Sequence, residues 1–289
     1  MSDRVTVSVD RGVADVRLNR PDKLNALDAD VMLGLVDAGD RLARDSSVRA
    51  VVLSGEGRSF SAGLDFSGFT AMAGGGGQPA QGDGGGQPAQ GGGGGVGGAP
   101  VGTIGRVDEG RITHVGQQAA HTWSEVPVPV IAAIRGHCLG GGLQIALGAD
   151  IRIVHPEATL SVLEIRWGIT PDMTGTVTLS RLVGPDVAKE LTFTGRMVSG
   201  DEAVRLGLGT RLSDTPLEDA LALAADIAAR NPHAVRGAKR LLDQAGTVPL
   251  AQQYADERAT IASLIGTPNQ VEAVTAYFEK RPPSFADPQ

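Results

Sequence analysis

Three consecutive glycines at residues 140–142 constrain the fold of this chain more than any other feature. They follow an apolar segment, residues 130–136, that predicts a buried strand, and they precede LQIALGAD, whose apolar spacing is typical of a helix. Glycine is a poor helix former, so its place at a helix start needs another explanation. Backbone N–H groups at a helix start have no partners within the helix and lie at the positive end of its dipole. Glycines there let a negatively charged group approach these donors closely.

The negative group is either a bound phosphate or an oxyanion that forms only during a reaction. A second exposed donor favours the oxyanion, and GRSFSAGLDF at residues 57–66 supplies a candidate. It follows another predicted buried strand at residues 48–55. The turn that leaves this strand contains Ala62, Gly63, Leu64 and Asp65. Tight helix–strand packing is the alternative explanation for the glycines. A dinucleotide-binding enzyme is disfavoured, because the expected early G-x-G-x-x-G and an acidic residue about 20 positions later are both missing near the N-terminus.

The remaining patterns predict a core of mixed strands and helices followed by a helical tail. A hairpin is expected around Arg11 and Gly12, and the next helix is capped by Asp28. Ser199 and Glu202 have capping-box spacing at the start of a helix that Gly207 ends. From Pro216 onward each segment predicts a helix. The other expected elements are a helix at 116–126, strands at 151–156 and 159–165, and a helix at 174–184.

A glycine-rich tract interrupts the core between about residues 74 and 103. It contains GGGQPAQG twice, beginning at Gly75 and at Gly84. Such a segment buries almost no apolar surface, so we expect a disordered surface insertion. The expected organisation is therefore α/β, with a core domain at residues 1–215 that carries this insertion and a helical region at 216–289.

Composition excludes several classes of protein. The formal net charge is −7, which argues against nucleic acid as a partner because neutralising phosphates needs a basic face. The single cysteine, Cys138, has no His or Cys partners nearby at the spacing that metal ligands show. It is expected to be a small buried side chain. We expect no metal site.

No signal core and no run of about 18 apolar residues is present, so a cytoplasmic protein without membrane association is expected.

Five ordered blocks resemble the crotonase family, also called the enoyl-CoA hydratase/isomerase family. The resemblance implies a ββα-spiral core, a C-terminal helical region that builds a homotrimer or hexamer, and acyl-CoA substrates. It implies no cofactor, because coenzyme A is part of the substrate. It also implies that the N–H groups of Leu64 and Gly141 polarise the thioester carbonyl. The blocks are RPDKLNAL, GRSFSAGLDF, IAAIRGHCLGGGLQIALGADIRI, TLSVLEIRWGITP and YFEKRPPSF.

The same resemblance indicates which residues contact coenzyme A. Ala26 and Ala62 lie in the segments that cradle the adenine in this family, and Lys280 corresponds more weakly to a basic position near a CoA phosphate. We expect the remaining CoA-binding residues in the two turns that carry the donors. They are Gly63, Asp65 and Gly140.

Two positions decide which reaction the family resemblance implies. Hydratases of the family hold water with two glutamates, and the corresponding residues here are Gln144 and Glu164. The Gln144 amide lies one turn beyond Gly141 and cannot take a proton, although it can position water or substrate. The alternative is that Gln144 is a polar helix residue with no role in the site. Glu164 stands among apolar residues, which are expected to raise its pKa and so to suit it to acid–base catalysis. The alternative is a structural role for Glu164 as the ion-pair partner of Arg166.

Asp172 is the other departure from the hydratase pattern. It stands eight residues after Glu164, where dienoyl-CoA isomerases of the family carry Asp and common hydratases carry Gly. Those isomerases also carry Asp at the position of Gln144, so the match is incomplete. Capping the helix that follows Pro171 is the alternative role for Asp172.

The sequence therefore favours double-bond isomerisation of an enoyl- or dienoyl-CoA. In this hypothesis Glu164 removes a proton, the Leu64 and Gly141 donors hold the enolate, and Asp172 or Glu164 returns the proton. Hydration of a 2-enoyl-CoA and non-catalytic binding of acyl-CoA are the alternatives.

Overall fold

The computed structural model describes residues 3–65, 107 and 109–289, and the glycine-rich tract lies outside them. The chain begins with the predicted hairpin of β1 (Val5–Asp10) and β2 (Val13–Leu18), which pair antiparallel from Val5↔Leu18 to Asp10↔Val13. Arg11 and Gly12 form its turn with φ of 47° and 81°, a left-handed conformation that favours glycine.

Parallel strands extend this hairpin into the main sheet, which has the order β1-β2-β3-β4-β6-β9. Its central strands, β3 and β4, are apolar on both faces, as expected for parallel strands that are covered on each side. A second sheet has the order β5-β7-β8. The strands are β3 (Ala50–Gly55), β4 (Val130–Ile134), β5 (His137–Leu139), β6 (Ile151–Val154), β7 (Thr159–Ser161), β8 (Val198–Ser199) and β9 (Arg211–Leu212).

Helices cover both faces of the main sheet. Asp28 caps α1 by accepting a hydrogen bond of 2.9 Å from the Val31 N–H, as its position in the sequence predicts. Ser199 likewise accepts from the Glu202 N–H at the start of α6, which ends at Gly207. The helices are α1 (Ala29–Arg44), α2 (Val115–Glu125), α3 (Gly141–Leu147), α4 (Gly175–Val183), α5 (Pro185–Thr194), α6 (Gly200–Leu206), α7 (Pro216–Ala228), α8 (Pro232–Gln244), α9 (Leu250–Leu264) and α10 (Pro268–Glu279).

Alternate residues of β3 belong to different hydrophobic cores. Val51 and Leu53 pack in the larger core, which includes buried residues of α1 and α2. Val52 faces the opposite side and packs with Ala220 and Ala224 of α7. Because β3 and β4 are parallel and adjacent, the turns that leave their carboxyl ends emerge at the same edge of the sheet.

One predicted strand is shorter than its sequence pattern indicates. The segment 159–165 forms β7 only as far as Ser161, and Glu164–Trp167 is a turn of 3-10 helix. Gly168 ends that turn with φ of 73°, and its N–H bonds the carbonyls of Glu164 and Ile165. Glu164 is therefore not a strand residue, because this local turn replaces the ladder that would continue β7.

The C-terminal helices attach to the opposite edge of the sheet. Lys239 of α8 donates to Asp150, just before β6, at 2.7 Å and to the carbonyl of Val128, just before β4, at 3.1 Å. Arg49, just before β3, donates to Asp287 at 2.8 Å and to the Phe285 carbonyl at 2.7 Å. Within the described ranges, no helix is long and apolar enough to cross a membrane.

Candidate active site

The turns that follow β3 and β4 lie side by side. Ser61 forms a parallel bridge with Cys138, in which the Ser61 N–H donates to His137 and the Leu139 N–H donates to Ser61. A Cβ added to Gly63 would lie 2.8 Å from the Leu139 carbonyl oxygen and 4.0 Å from the Cα of Gly140. The turns that carry Leu64 and Gly141 therefore pack closely against each other at Gly63 and Leu139, as the two-donor hypothesis requires.

Hydrogen bonds account for the N–H groups beside the two predicted donors. The Gly63 N–H donates to Ser61 Oγ at 3.2 Å, the Asp65 N–H to the Leu27 carbonyl at 2.9 Å and the Gly140 N–H to the Ser161 carbonyl at 2.9 Å. No acceptor among residues 3–65, 107 and 109–289 bonds the N–H of Leu64 or of Gly141. Each turn thus has one main-chain N–H without an acceptor among the described residues.

The three consecutive glycines serve different purposes. Gly140 has φ of 51°, and a Cβ there would lie 3.4 Å from Glu164 Oε1. A Cβ on Gly142 would lie 2.6 Å from the Cβ of Ser61, so this glycine permits close packing between the turns. Gly141 begins α3 and carries the unpaired N–H. Close packing therefore explains Gly142 and also applies to Gly141, where a Cβ would lie 2.9 Å from Met173 Sδ. Gly141 in addition has an N–H without an acceptor among the described residues, which is compatible with the donor explanation.

Glu164 is buried beside the Gly140 turn, with 5% of its surface exposed. Its Oε1 accepts a hydrogen bond of 2.6 Å from Gln144 Nε2, and its Oε2 has no hydrogen-bond partner among the described residues. Burial raises the pKa of the Glu164 carboxyl, the Gln144 bond opposes that rise, and the Asp172 charge adds to it. With Oε1 bonded to Gln144 and Oε2 to no described residue, Glu164 forms no pair with Arg166 in the described part of the chain, so that alternative is wrong.

Gln144 holds Glu164 against the turn before α4. The Gln144 carbonyl oxygen accepts from the N–H of Met173 at 2.9 Å and of Gly175 at 3.0 Å, while its amide nitrogen donates to Glu164. The side chain is buried and faces the site, as its helical spacing from Gly141 predicts. The contacts to Met173 and Gly175 were missed, since no local pattern links residues 29 and 31 positions apart.

Asp172 lies on the surface beside this turn and does not cap α4. The N-cap is Thr174, with φ of 69° and no side-chain cap bond, and Gln144 accepts from the N–H of Gly175, the first residue of the helix. The capping alternative for Asp172 is therefore wrong. Its charge nevertheless contributes to the raised pKa of the Glu164 carboxyl, after the larger effect of burial.

A small apolar cavity adjoins the site. Its volume is about 10 Å³, and Gly140 and Gln144 form part of its wall. About one small group fits a cavity of this size. The other lining residues are Leu143, Leu147, Val162, Pro171, Gly175, Thr176, Leu179 and Thr192.

The residues expected to bind coenzyme A are only partly brought together. The Ala62 N–H donates to the Leu24 carbonyl at 2.9 Å, so Ala62 lies against the segment that carries Ala26. Lys280 is exposed at the end of α10, and the tail that follows it binds Arg49 at the opposite sheet edge. No contact in the described part of the chain joins Lys280 to these turns.

Cys138 is fully buried in β5, as expected for a small core residue, and burial raises the pKa of its thiol. Among the residues placed in the structure, no three His, Cys, Asp or Glu side chains are grouped as a metal site would require.

Comparison with known proteins gives consistent matches. Residues 8–81 and 105–288 match a family model described as enoyl-CoA hydratase/isomerase. The chain is 31% identical to the probable enoyl-CoA hydratase of Bacillus subtilis, over 97% of this chain and 98% of that protein. It is 32% identical to the short-chain-enoyl-CoA hydratase of Clostridium acetobutylicum, over 93% and 92%. A crystal structure of an enoyl-CoA hydratase from Bacillus anthracis has a TM-score of 0.79 at 28% identity, covering 98% of this chain and 99% of that one.

Proposed function

Because this chain belongs to the enoyl-CoA hydratase/isomerase family and has the crotonase fold, we propose that it moves a carbon–carbon double bond in an enoyl- or dienoyl-CoA. One observation carries this choice within the family. The amide of Gln144 is bonded to Glu164, Met173 and Gly175, and an amide cannot accept a proton at neutral pH. The site therefore has one buried carboxylate where water-adding members of the family use two.

The proposed reaction begins with proton removal. Glu164 takes a proton from C2 of a 3-enoyl-CoA through Oε2, the oxygen without a partner among the described residues. The electron pair of the broken C2–H bond spreads over the double bond and the thioester carbonyl. The N–H groups of Leu64 and Gly141 donate to the oxygen on which negative charge develops. One such donor typically contributes about 10²–10³ in rate.

The second half of the reaction returns the proton to C4, which leaves a 2-enoyl-CoA. Glu164 carries the proton in the simplest case, since the burial that raises its pKa also favours its protonated form. Asp172 is the second candidate, and it becomes important for a 3,5-dienoyl-CoA, where the proton travels further along the chain. Its charge contributes to the raised pKa of Glu164, which supports this assignment.

Coenzyme A is bound, in this proposal, by the segments that carry Ala26 and Ala62 and by the turns at Gly63 and Gly140. Lys280 would contact a CoA phosphate. A homotrimer or hexamer built through the C-terminal helices is also part of the proposal. It is supported by large apolar side chains that α8–α10 and their ends leave exposed. In the described chain these are Leu242, Leu250, Tyr254, Ile261, Ile265, Val271, Val274, Tyr277 and Phe278.

Hydration of a 2-enoyl-CoA is the second candidate, and the names of the relatives favour it. A substrate panel separates the two reactions. We expect the purified enzyme to isomerise trans-3-hexenoyl-CoA or a 3,5-dienoyl-CoA at least about tenfold faster than it hydrates crotonyl-CoA, because the missing base typically contributes about 10²–10⁴. Faster hydration would contradict isomerisation. Tight binding of all three thioesters without turnover would instead identify an acyl-CoA binder.

The Gln144→Glu variant tests why isomerisation is favoured. The new carboxylate can still accept from Met173 and Gly175, and its other oxygen would face Glu164, so the pair would share a proton. We expect the ratio of hydration to isomerisation to rise about tenfold or more, because a second acid–base group becomes available. The same assays measure this ratio. An unchanged ratio in a folded variant would show that residue 144 does not select the reaction.

A further inference from the structure

Arg20 is a buried cation that the proposed reaction does not use. It follows β2 in the RPDKLNAL segment, and only 9% of its side chain is exposed. Burying a guanidinium is costly unless it is paired and hydrogen-bonded. Arg20 has such partners: Nη2 donates to Asp65 Oδ2 at 3.0 Å, and Nη1 donates to the Ala26 carbonyl at 2.7 Å and lies 3.1 Å from Asp28 Oδ2.

These contacts join two segments that are far apart in sequence. Asp65 lies 45 residues after Arg20 and directly follows Leu64. Ala26 and Asp28 belong to the loop that leads into α1. The guanidinium therefore connects this loop to the turn that presents the Leu64 N–H. The planar guanidinium holds Nη1 and Nη2 in fixed directions, one toward each segment, whereas a lysine ammonium has a single nitrogen at the end of a flexible stem.

Backbone bonds on both sides of Leu64 extend this connection. The Leu27 N–H donates to the Gly63 carbonyl at 2.8 Å, and the Asp65 N–H donates to the Leu27 carbonyl at 2.9 Å. Leu64 lies between these two bonds, paired with Leu27 in a parallel bridge. Its own N–H is directed away from Leu27, and the Arg20 ion pair holds the residue that follows it.

A buried asparagine anchors the other side of the same turn. Asn25 has φ of 55°, and its side-chain nitrogen donates to the carbonyls of Ser59 at 2.8 Å and Glu56 at 3.0 Å. Its carbonyl accepts from Ser61 Oγ at 2.8 Å. The turn is thus held before Gly63 by Asn25 and after Leu64 by Arg20. Only the Arg20 contact uses charges.

We propose that Arg20 is a positioning residue, which sets the direction of the Leu64 N–H through its ion pair with Asp65. This inference rests on the proposed function, because it assumes that Leu64 donates to the thioester oxygen. It gives Asp65 the role of fixing the turn rather than of contacting coenzyme A. A displacement of about 1 Å in such a group can cost about 100-fold in rate.

The Asp65→Asn variant tests the proposal. Asparagine keeps the shape and an acceptor but removes the charge, and Arg20 keeps Asp28. We expect kcat on the preferred thioester to fall about 10- to 100-fold with KM changed less than about threefold, because the donor acts mainly in the transition state. The Arg20→Lys variant should show the same fall in kcat with a similarly small change in KM. Asp15→Asn is the matched control, since Asp15 pairs with Arg17 at similar burial and forms no bond with Arg20 or Asp65, and it should retain wild-type kcat.

A spectroscopic measurement separates positioning from general loss of structure. 4-(Dimethylamino)cinnamoyl-CoA absorbs at longer wavelength when donors polarise its carbonyl. We expect the wild-type protein to shift this band to the red and both variants to shift it less, at unchanged thermal midpoint. An unchanged red shift and kcat in both variants would overturn the proposal, and so would loss of the fold in both. If the wild type turns over no thioester, the proposed function fails, and the red shift alone then decides the role of Arg20.

Discussion

The Glu164→Gln variant is expected to lose about 10²–10⁴ in kcat, the usual contribution of a general base. Glutamine has nearly the same shape and can still accept the hydrogen bond that Gln144 donates to Oε1. It cannot take a proton at Oε2, so proton removal from C2 loses its acceptor. Isomerisation of the preferred substrate measures the effect. Glu157→Gln, at an exposed position seven residues earlier, is the matched control and should keep wild-type activity.

The pH profile gives an independent test of the same residue. Burial raises the pKa of Glu164 above its ordinary value of about 4.3, and only the ionised form removes a proton. Wild-type kcat/KM should therefore fall as the pH decreases through this raised pKa, and the residual activity of Glu164→Gln should lack that limb. More than about a tenth of wild-type activity in the variant would contradict the assignment.

Stability should change in the opposite direction to activity. A carboxyl whose pKa is raised by folding destabilises the folded state as the pH rises through that pKa. At neutral pH the Glu164→Gln variant should then have a free energy of unfolding no lower than that of the wild type. Denaturant titration at two pH values checks this, and it also shows that lost activity does not come from lost structure.

A comparison of Gly141→Pro with Gly141→Ala is expected to isolate the second donor. Proline removes the N–H and is tolerated at the first position of a helix, which Gly141 occupies in α3. We expect the proline variant to have a kcat about 10²–10³ below that of the alanine variant, because one oxyanion donor is lost. The alanine variant supplies the control, since both residues add a Cβ that would meet Met173 at 2.9 Å and Leu27 at 3.0 Å.

One outcome of this comparison would contradict the role of the Gly141 N–H. Both neighbours of the new Cβ are ends of flexible side chains, so each variant should fold, and circular dichroism with thermal melting verifies this. Measurements at saturating thioester keep changes in binding out of the comparison. Equal kcat values for the two variants would mean that the Gly141 N–H does not act on the reacting oxygen.

Much of this fold follows from local sequence. The hairpin at Arg11 and Gly12, the Asp28 cap and the end of α6 at Gly207 were predicted, because each depends on residues within one turn. The two turns of the site were also predicted. Strands β3 and β4 are short apolar runs that end together in a parallel sheet, so the segments after them had to meet.

The parts that were missed depend on contacts between distant residues. Local pattern predicted a strand through Glu164, but the chain turns there and Gln144, 20 residues earlier, binds the carboxylate. Capping by Asp172 was wrong because α4 begins only at Gly175, so Thr174, two residues after Asp172, occupies the N-cap position. The Arg20–Asp65 pair spans 45 residues, and neither partner carries a local signal of the other. Such pairings are set by packing of the whole core.

The most direct test is a crystal structure with a bound, unreactive acyl-CoA analogue. The decisive distances run from the thioester oxygen to the main-chain nitrogens of Leu64 and Gly141. Both should be about 2.7–3.1 Å, with the Glu164 carboxylate against the carbon that loses its proton. A thioester oxygen more than about 3.6 Å from either nitrogen, in a fully occupied site, would contradict the account.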